Sequence, residues 1–164
     1  MTFNFQGEAV EMFQTHLTNL LANIAQGINE YCPDSAVDFF ELACSQMELG
    51  DLKLKLASLL LTRELLETGC FPLKTSSQIY YFDNIFTLAK FLFSDESDEI
   101  EDKEILEQIA NEIDLSLQVL IQKFKEDHHS SSTLNSFIDE ALAFWMHITK
   151  QQIFLRYRTL PGKF

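Results

Sequence analysis

Turn-forming residues are scarce in this chain. It has five glycines and three prolines among 164 residues, whereas an all-β fold needs a turn signal about every 8–12 residues. Cysteines are few and odd in number: Cys32, Cys44 and Cys70 have no C-x-x-C spacing. A disulfide framework or a cysteine-built zinc site is therefore not encoded, and the three read as small apolar residues of a reducing compartment. No apolar run approaches the ~18 residues that a bilayer-spanning helix requires. The opening MTFNFQGEAVEMF lacks the basic n-region and unbroken apolar core of a secretory signal. Together these absences predict a soluble, cytoplasmic protein with no membrane partner.

Charge of one sign is also missing over long stretches. The first 52 residues hold eight Asp or Glu and no Lys or Arg, and Asp95 to Asp114 packs ten carboxylates against the single Lys103. After Glu140 the sign reverses, with Lys150, Arg156, Arg158 and Lys163 and no acid. A net charge of −13 opposes direct nucleic-acid binding, which draws its affinity from cations that displace counterions from phosphates. It opposes anionic membrane surfaces for the same reason. A basic protein surface remains an allowed partner, although acidity also serves solubility alone.

Catalytic signatures are absent as well. There is no Walker loop, no G-x-G-x-x-G and no G-x-S-x-G, so those modes of nucleotide binding and nucleophilic catalysis are excluded. His128 and His129 lie beside Glu126 and Asp127, but adjacent loop histidines do not converge on one ion without ligands from elsewhere. A di-metal carboxylate bundle requires repeated Glu-x-x-His pairs, and no such repeat is present. Glu140 and His147 share a helix flank, where a solvated surface is the simpler reading. The expectation is a protein without catalytic residues, metal or cofactor.

What is present is material for a helical core. Fifteen Phe supply large aromatic contact area, and apolar spacing marks six helical segments. In the first, Val10, Phe13, Leu17, Leu20, Leu21, Ile24, Ile28 and Tyr31 form a stripe broad enough to face a core, ending at Cys32-Pro33. The second begins near Asp34 or Ser35, where Ser35 and Asp38 imitate a capping box, and carries Val37, Phe40, Cys44 and Met47. Gly50-Asp51 reads as a C-cap followed by an N-cap. The third segment, Leu52 to Glu67, is apolar at Leu52, Leu56, Leu59, Leu60 and Leu66 and stops at Gly69.

The fourth segment follows a cap at Ser76 or Ser77 and is the most aromatic, through Ile79, Phe82, Ile85, Phe86, Ala89 and Phe93. That composition predicts the central helix, with Tyr80-Tyr81 also compatible with a short strand. Residues 94–101, SDESDEIE, read as a mobile acidic linker. The fifth segment, about Asp102 to Glu126, places Leu106, Ile109, Ile113, Leu117, Leu120 and Phe124 on one face. Residues 127–132 form a loop, and the sixth segment carries Leu134, Phe137, Ala141, Phe144, Trp145, Ile148 and Leu155 up to Pro161-Gly162. The predicted fold is all-α: a single-domain antiparallel helical bundle of about six helices over residues 1–164.

Two surfaces are candidates for partner binding. The first is the acidic set Asp95, Glu96, Asp98, Glu99, Glu101 and Asp102. The second is a basic–aromatic tip, Phe154, Arg156, Tyr157 and Arg158. Arg and aromatic residues dominate binding hot spots, yet exposed aromatics are a liability without a partner, so the leading reading of the tip is that it folds back onto the chain's own acidic surface, with a recognition or self-association patch as the alternative. The sequence therefore predicts a non-enzymatic protein-binding module of the adaptor, chaperone or inhibitor type, with another, basic protein as partner and homo-oligomerisation as a further possibility. Two other readings compete. One is a helical metal-dependent hydrolase using Glu104, Glu107 and Asp114, which lacks a second carboxylate helix because Asp139 and Glu140 are adjacent and diverge. The other is an acidic nucleic-acid mimic, which needs carboxylates at phosphate-like spacing on a rigid surface.

Overall fold

The computed structural model describes residues 2–69 and 75–126. Among them it contains seven helices and no strand: α1 (Thr2–Asn23), α2 (Ala25–Tyr31), α3 (Pro33–Leu49), α4 (Leu52–Thr68), α5 (Thr75–Phe93), α6 (Asp95–Asp98) and α7 (Lys103–Glu126). The fold is all-α with bundle-like packing, as the apolar periodicity predicts. The expected loop at 127–132, the sixth segment and Cys70 lie outside the described residues. Packing density divides the chain into two compact units, one comprising Met1–Gln78 and the other beginning at Ile79.

In the first unit, local chemistry sets where each helix stops. The first segment is broken at Ile24, whose φ of −111° and ψ of 16° leave the helical region and separate α1 from α2. No Gly or Pro marks this break. Helix α3 begins at Pro33, earlier than a Ser35 cap implies. Proline at N1 lacks the N–H that would otherwise be orphaned and has its φ already set, so Cys32 becomes the N-cap and supplies no side-chain bond. The α3–α4 junction follows the sequence reading. Asp51 Oδ1 accepts from the Leu54 N–H at 2.9 Å, satisfying one of the four open donors of α4. Gly50 is required by close approach: a Cβ there would lie 2.7 Å from both the Gln46 carbonyl oxygen and Leu54 Cδ2. Gly69 ends α4 at a φ of +130°, where a side chain is strained.

The centre of this unit is α4, against which α1, α2 and α3 all pack. Gln46 pairs with Ser58 and Met47 with Lys55, so α3 and α4 run antiparallel. Glu11 reaches the Asp51 N–H and Asn29 reaches the Leu65 carbonyl, so α1 and α2 run parallel to α4. The chain thus goes up, down and up again through short connections. Leu54, Leu59, Leu61, Leu65 and Leu66 of α4 are buried with Phe40, Ala43, Cys44 and Met47 of α3. Each fully buried Leu or Phe contributes about 1.5–3 kcal/mol relative to exposure. The expected face of α4 is shifted: Leu52, Leu56 and Leu60 are half-buried, while Ala57, Ser58 and Thr62 are fully inside. Small residues let neighbouring helices approach closely, and a search for large apolar residues passes over them.

In the second unit, Tyr81, Phe82, Ile85, Leu88, Ala89 and Leu92 of α5 are buried, as are Leu106, Ile109, Ile113, Leu117 and Leu120 of α7. Tyr80 and Tyr81 are helical, so the strand alternative does not form. The stretch read as an acidic linker contains α6, with Ser94 at its N-cap position but its hydroxyl donating back to the Phe91 carbonyl at 2.6 Å.

Candidate protein-interaction surfaces

The stripe of α1 does not lie where its breadth predicts. Val10 is 56 % exposed, Phe13 67 %, Leu17 42 %, Leu20 56 % and Ile24 50 %, and Tyr31 of α2 is still more open. Of the expected core stripe only Ile28 is buried, and Leu21 is half-buried. The reason is visible on the opposite side of the helix. Thr18, Ala22 and Ala25 are buried, and α1 approaches α4 through this face of small residues.

A polar node fastens that contact. Gln46 Oε1 of α3 accepts from Thr18 Oγ1 of α1 at 3.0 Å and from Ser58 Oγ of α4 at 3.1 Å. One amide oxygen thereby faces hydroxyls from two other helices, and the single Thr18 hydroxyl proton is shared between it and the Gln14 carbonyl at 2.7 Å. A second polar clamp sits at the far end, where Asn29 Nδ2 donates to the Leu65 carbonyl at 3.1 Å and to Thr68 Oγ1 at 2.5 Å. Buried donors and acceptors fix where helices meet, because any shift strands them at about 1–3 kcal/mol each.

The acidic candidates occupy a built elbow. Asp95, Glu96, Asp98, Glu99, Glu101 and Asp102 are all exposed. Beneath them Ser97 is fully buried, with its Oγ donating to the Leu92 carbonyl at 3.0 Å and the Ser94 carbonyl at 2.8 Å. The Lys103 ammonium donates to the Ser97 and Asp98 carbonyls at 2.9 and 3.0 Å, closing the C-terminal end of α6. Asp102 Oδ1 accepts from the Ile105 N–H at 3.1 Å and so caps α7. Asp102 thus has a structural task besides its exposure. The sequence had the fold-building roles of Ser97 and Lys103 available only as a polar run. The basic–aromatic tip, Phe154, Arg156, Tyr157 and Arg158, lies outside the described residues, as do His128, His129 and His147.

Of the carboxylates named for the metal-dependent reading, Glu104 is exposed on α7 and Glu107 and Asp114 are half-buried. Among the described residues no group of three or more His, Cys, Asp or Glu is placed to hold a metal ion. Burial and the nearby Glu41 push the Cys44 thiol up to about 12, far from the thiolate needed of a nucleophile. Cys32 is exposed. Partial burial holds the Lys55 ammonium below its usual range, against the opposing pull of Glu48 and Asp51. Its Nζ donates to the Met47 and Glu48 carbonyls, completing the C-terminal turn of α3 in the sense favoured by the helix dipole.

Among the described residues no helix is long and apolar enough to cross a membrane. No family model matches the chain, and comparisons with curated proteins and with solved structures find no match.

Proposed function

We infer that the protein is a non-enzymatic, cytoplasmic protein-binding module whose acidic elbow meets a basic surface on another protein. The supporting observation is that Asp95, Glu96, Asp98, Glu99, Glu101 and Asp102 are all exposed on a hydrogen-bonded turn. Presenting like charges on a fixed backbone concentrates their field, which accelerates encounter with an opposite patch and selects partners more than it adds affinity. The basic–aromatic residues Phe154, Arg156, Tyr157 and Arg158 supply a second contact in this reading. Adaptor, chaperone and inhibitor roles all belong to this class.

The test replaces Asp95, Glu96, Glu99 and Glu101 by Asn or Gln, leaving Ser94 and the cap at Asp102 intact. Proteins captured from the native lysate by the wild type and the neutralised variant are then compared along a salt gradient. The expected result is a stoichiometric basic partner that elutes at moderate salt and is retained much less by the variant. Equal retention removes the elbow from the binding model.

A further inference from the structure

The exposed stripe of α1 has a regularity that its breadth obscures. Val10, Phe13, Leu17 and Leu20 are spaced three, four and three residues apart along α1, and Ile24 follows at the break just beyond its end, the seam spacing by which two helices interlock along their length. At 1.5 Å per residue the helical part of the seam, Val10 to Leu20, is about 15 Å long. We propose that this seam is a self-association surface: a second copy of the chain seats its own α1 against Val10, Phe13, Leu17, Leu20 and Ile24.

Charge selects this occupant over others. The positions that border such a seam are the ones whose side chains meet across it. Here they are Ala9, Gln14, His16, Leu21 and Asn23, none of them an acid. Both carboxylates of α1, Glu8 and Glu11, fall away from the border. A chain of net charge −13 repels its own copy almost everywhere, and this face spares it that repulsion. A basic helical partner would call for carboxylates along the border, which are missing. A membrane surface would call for Lys or Arg on the flanks, and none occurs before Lys53.

Size agrees with a modest dimer. Five side chains near half exposure make an apolar strip on the order of a few hundred Å², a size that on a monomer is often functional. Two copies with their bordering residues approach the roughly 1,200 Å² at which specific interfaces begin. Such a contact is symmetric and closes at two subunits, and it is independent of the acidic elbow.

Sedimentation of the full chain over a range of micromolar to submillimolar concentrations tests the proposal. The expected result is a reversible monomer–dimer equilibrium. Leu17→Glu abolishes the dimer while helical circular dichroism is retained, and Met12→Glu, exposed but off the seam, leaves it intact. The pair Gln14→Glu and Asn23→Glu adds like charge to the border without touching the seam; it weakens the dimer several-fold at low salt, and salt restores it. A wild type that stays monomeric throughout overturns the proposal whatever the variants do. So does a dimer indifferent to both Leu17→Glu and the border pair. A monomer whose melting temperature collapses on Leu17→Glu assigns the stripe to the chain's own remaining residues and also overturns it.

Discussion

Helices α1 and α7 carry stripes of the same apolar character and end in opposite environments. In α7 the residues Leu106, Ile109, Ile113, Leu117 and Leu120 are buried; in α1 the residues Val10, Phe13, Leu17 and Leu20 are open, as is Ile24 just past its end. Periodicity identifies which face of a helix is apolar. It does not say whether the same chain supplies the cover. On α1 a second face, built from Thr18 and Ala22 and continued by Ala25 of α2, takes the interior, with Thr18 bonded to Gln46.

One substitution placed in both helices tests this contrast most severely. Ile113→Asp buries an unpaired charge and should cost more than about 4 kcal/mol, enough to unfold a marginal domain. Leu17→Asp, measured by urea denaturation at low protein concentration, should cost no more than about 1 kcal/mol. Comparable losses would erase the distinction between the stripes. If small and polar contacts hold α1 in place, Gln46→Leu should be costly despite its added apolar volume. It strands the hydroxyl of Ser58 and leaves Thr18 with the Gln14 carbonyl of its own helix, and a loss of about 1–3 kcal/mol is expected by thermal denaturation. Gly50→Ala should cost a similar or slightly smaller amount, about 1–3 kcal/mol, because its Cβ meets the Gln46 carbonyl oxygen.

The same inside–outside contrast applies to the thiols of α3 and its cap. In folded protein at mildly alkaline pH, Cys32 should be alkylated and Cys44 protected, as read by peptide mass mapping. Because folding raises the Cys44 thiol from 9.0 to about 12, its contribution to stability is full below pH 9. That contribution declines as pH rises toward 12, since only the unfolded chain loses the proton in that interval. The smallest effect has the opposite sign. Gly27 lies in α2 with open space where a Cβ would go, so Gly27→Ala should stabilise by about 0.5–1 kcal/mol.

Much of this architecture is legible in the residues. The Gly50-Asp51 turn, the stop at Gly69 and the start of α7 behind Asp102 follow from capping chemistry that acts within a few residues. The break at Ile24 is not legible, because no Gly or Pro stands at that position. Pro33 overrode the Ser35–Asp38 pattern by starting α3 earlier. The acidic run 94–101 hid α6 because its fold-forming member, Ser97, looks like any other polar residue until its hydroxyl is seen bonded to Leu92 and Ser94. The outward seam of α1 had a usable signal in its three–four spacing and acid-free borders, which a simple count of apolar residues passes over.

The amide of Gln46 has a consequence for conformational uniqueness. Apolar side chains along α1, α3 and α4 would tolerate a slide of one helical turn, since one aliphatic contact resembles the next. The hydroxyl pair on Gln46 would not, because in a slid arrangement Ser58 loses its acceptor and Thr18 is left with only the Gln14 carbonyl of its own helix. Replacing all three residues with apolar ones of similar shape should therefore cost little stability while allowing more than one packing of α1. Nuclear magnetic resonance spectra of such a triple variant would then show doubled or broadened methyl peaks for Leu59 and Leu65. A single polar atom, on this view, makes the first unit one structure instead of several.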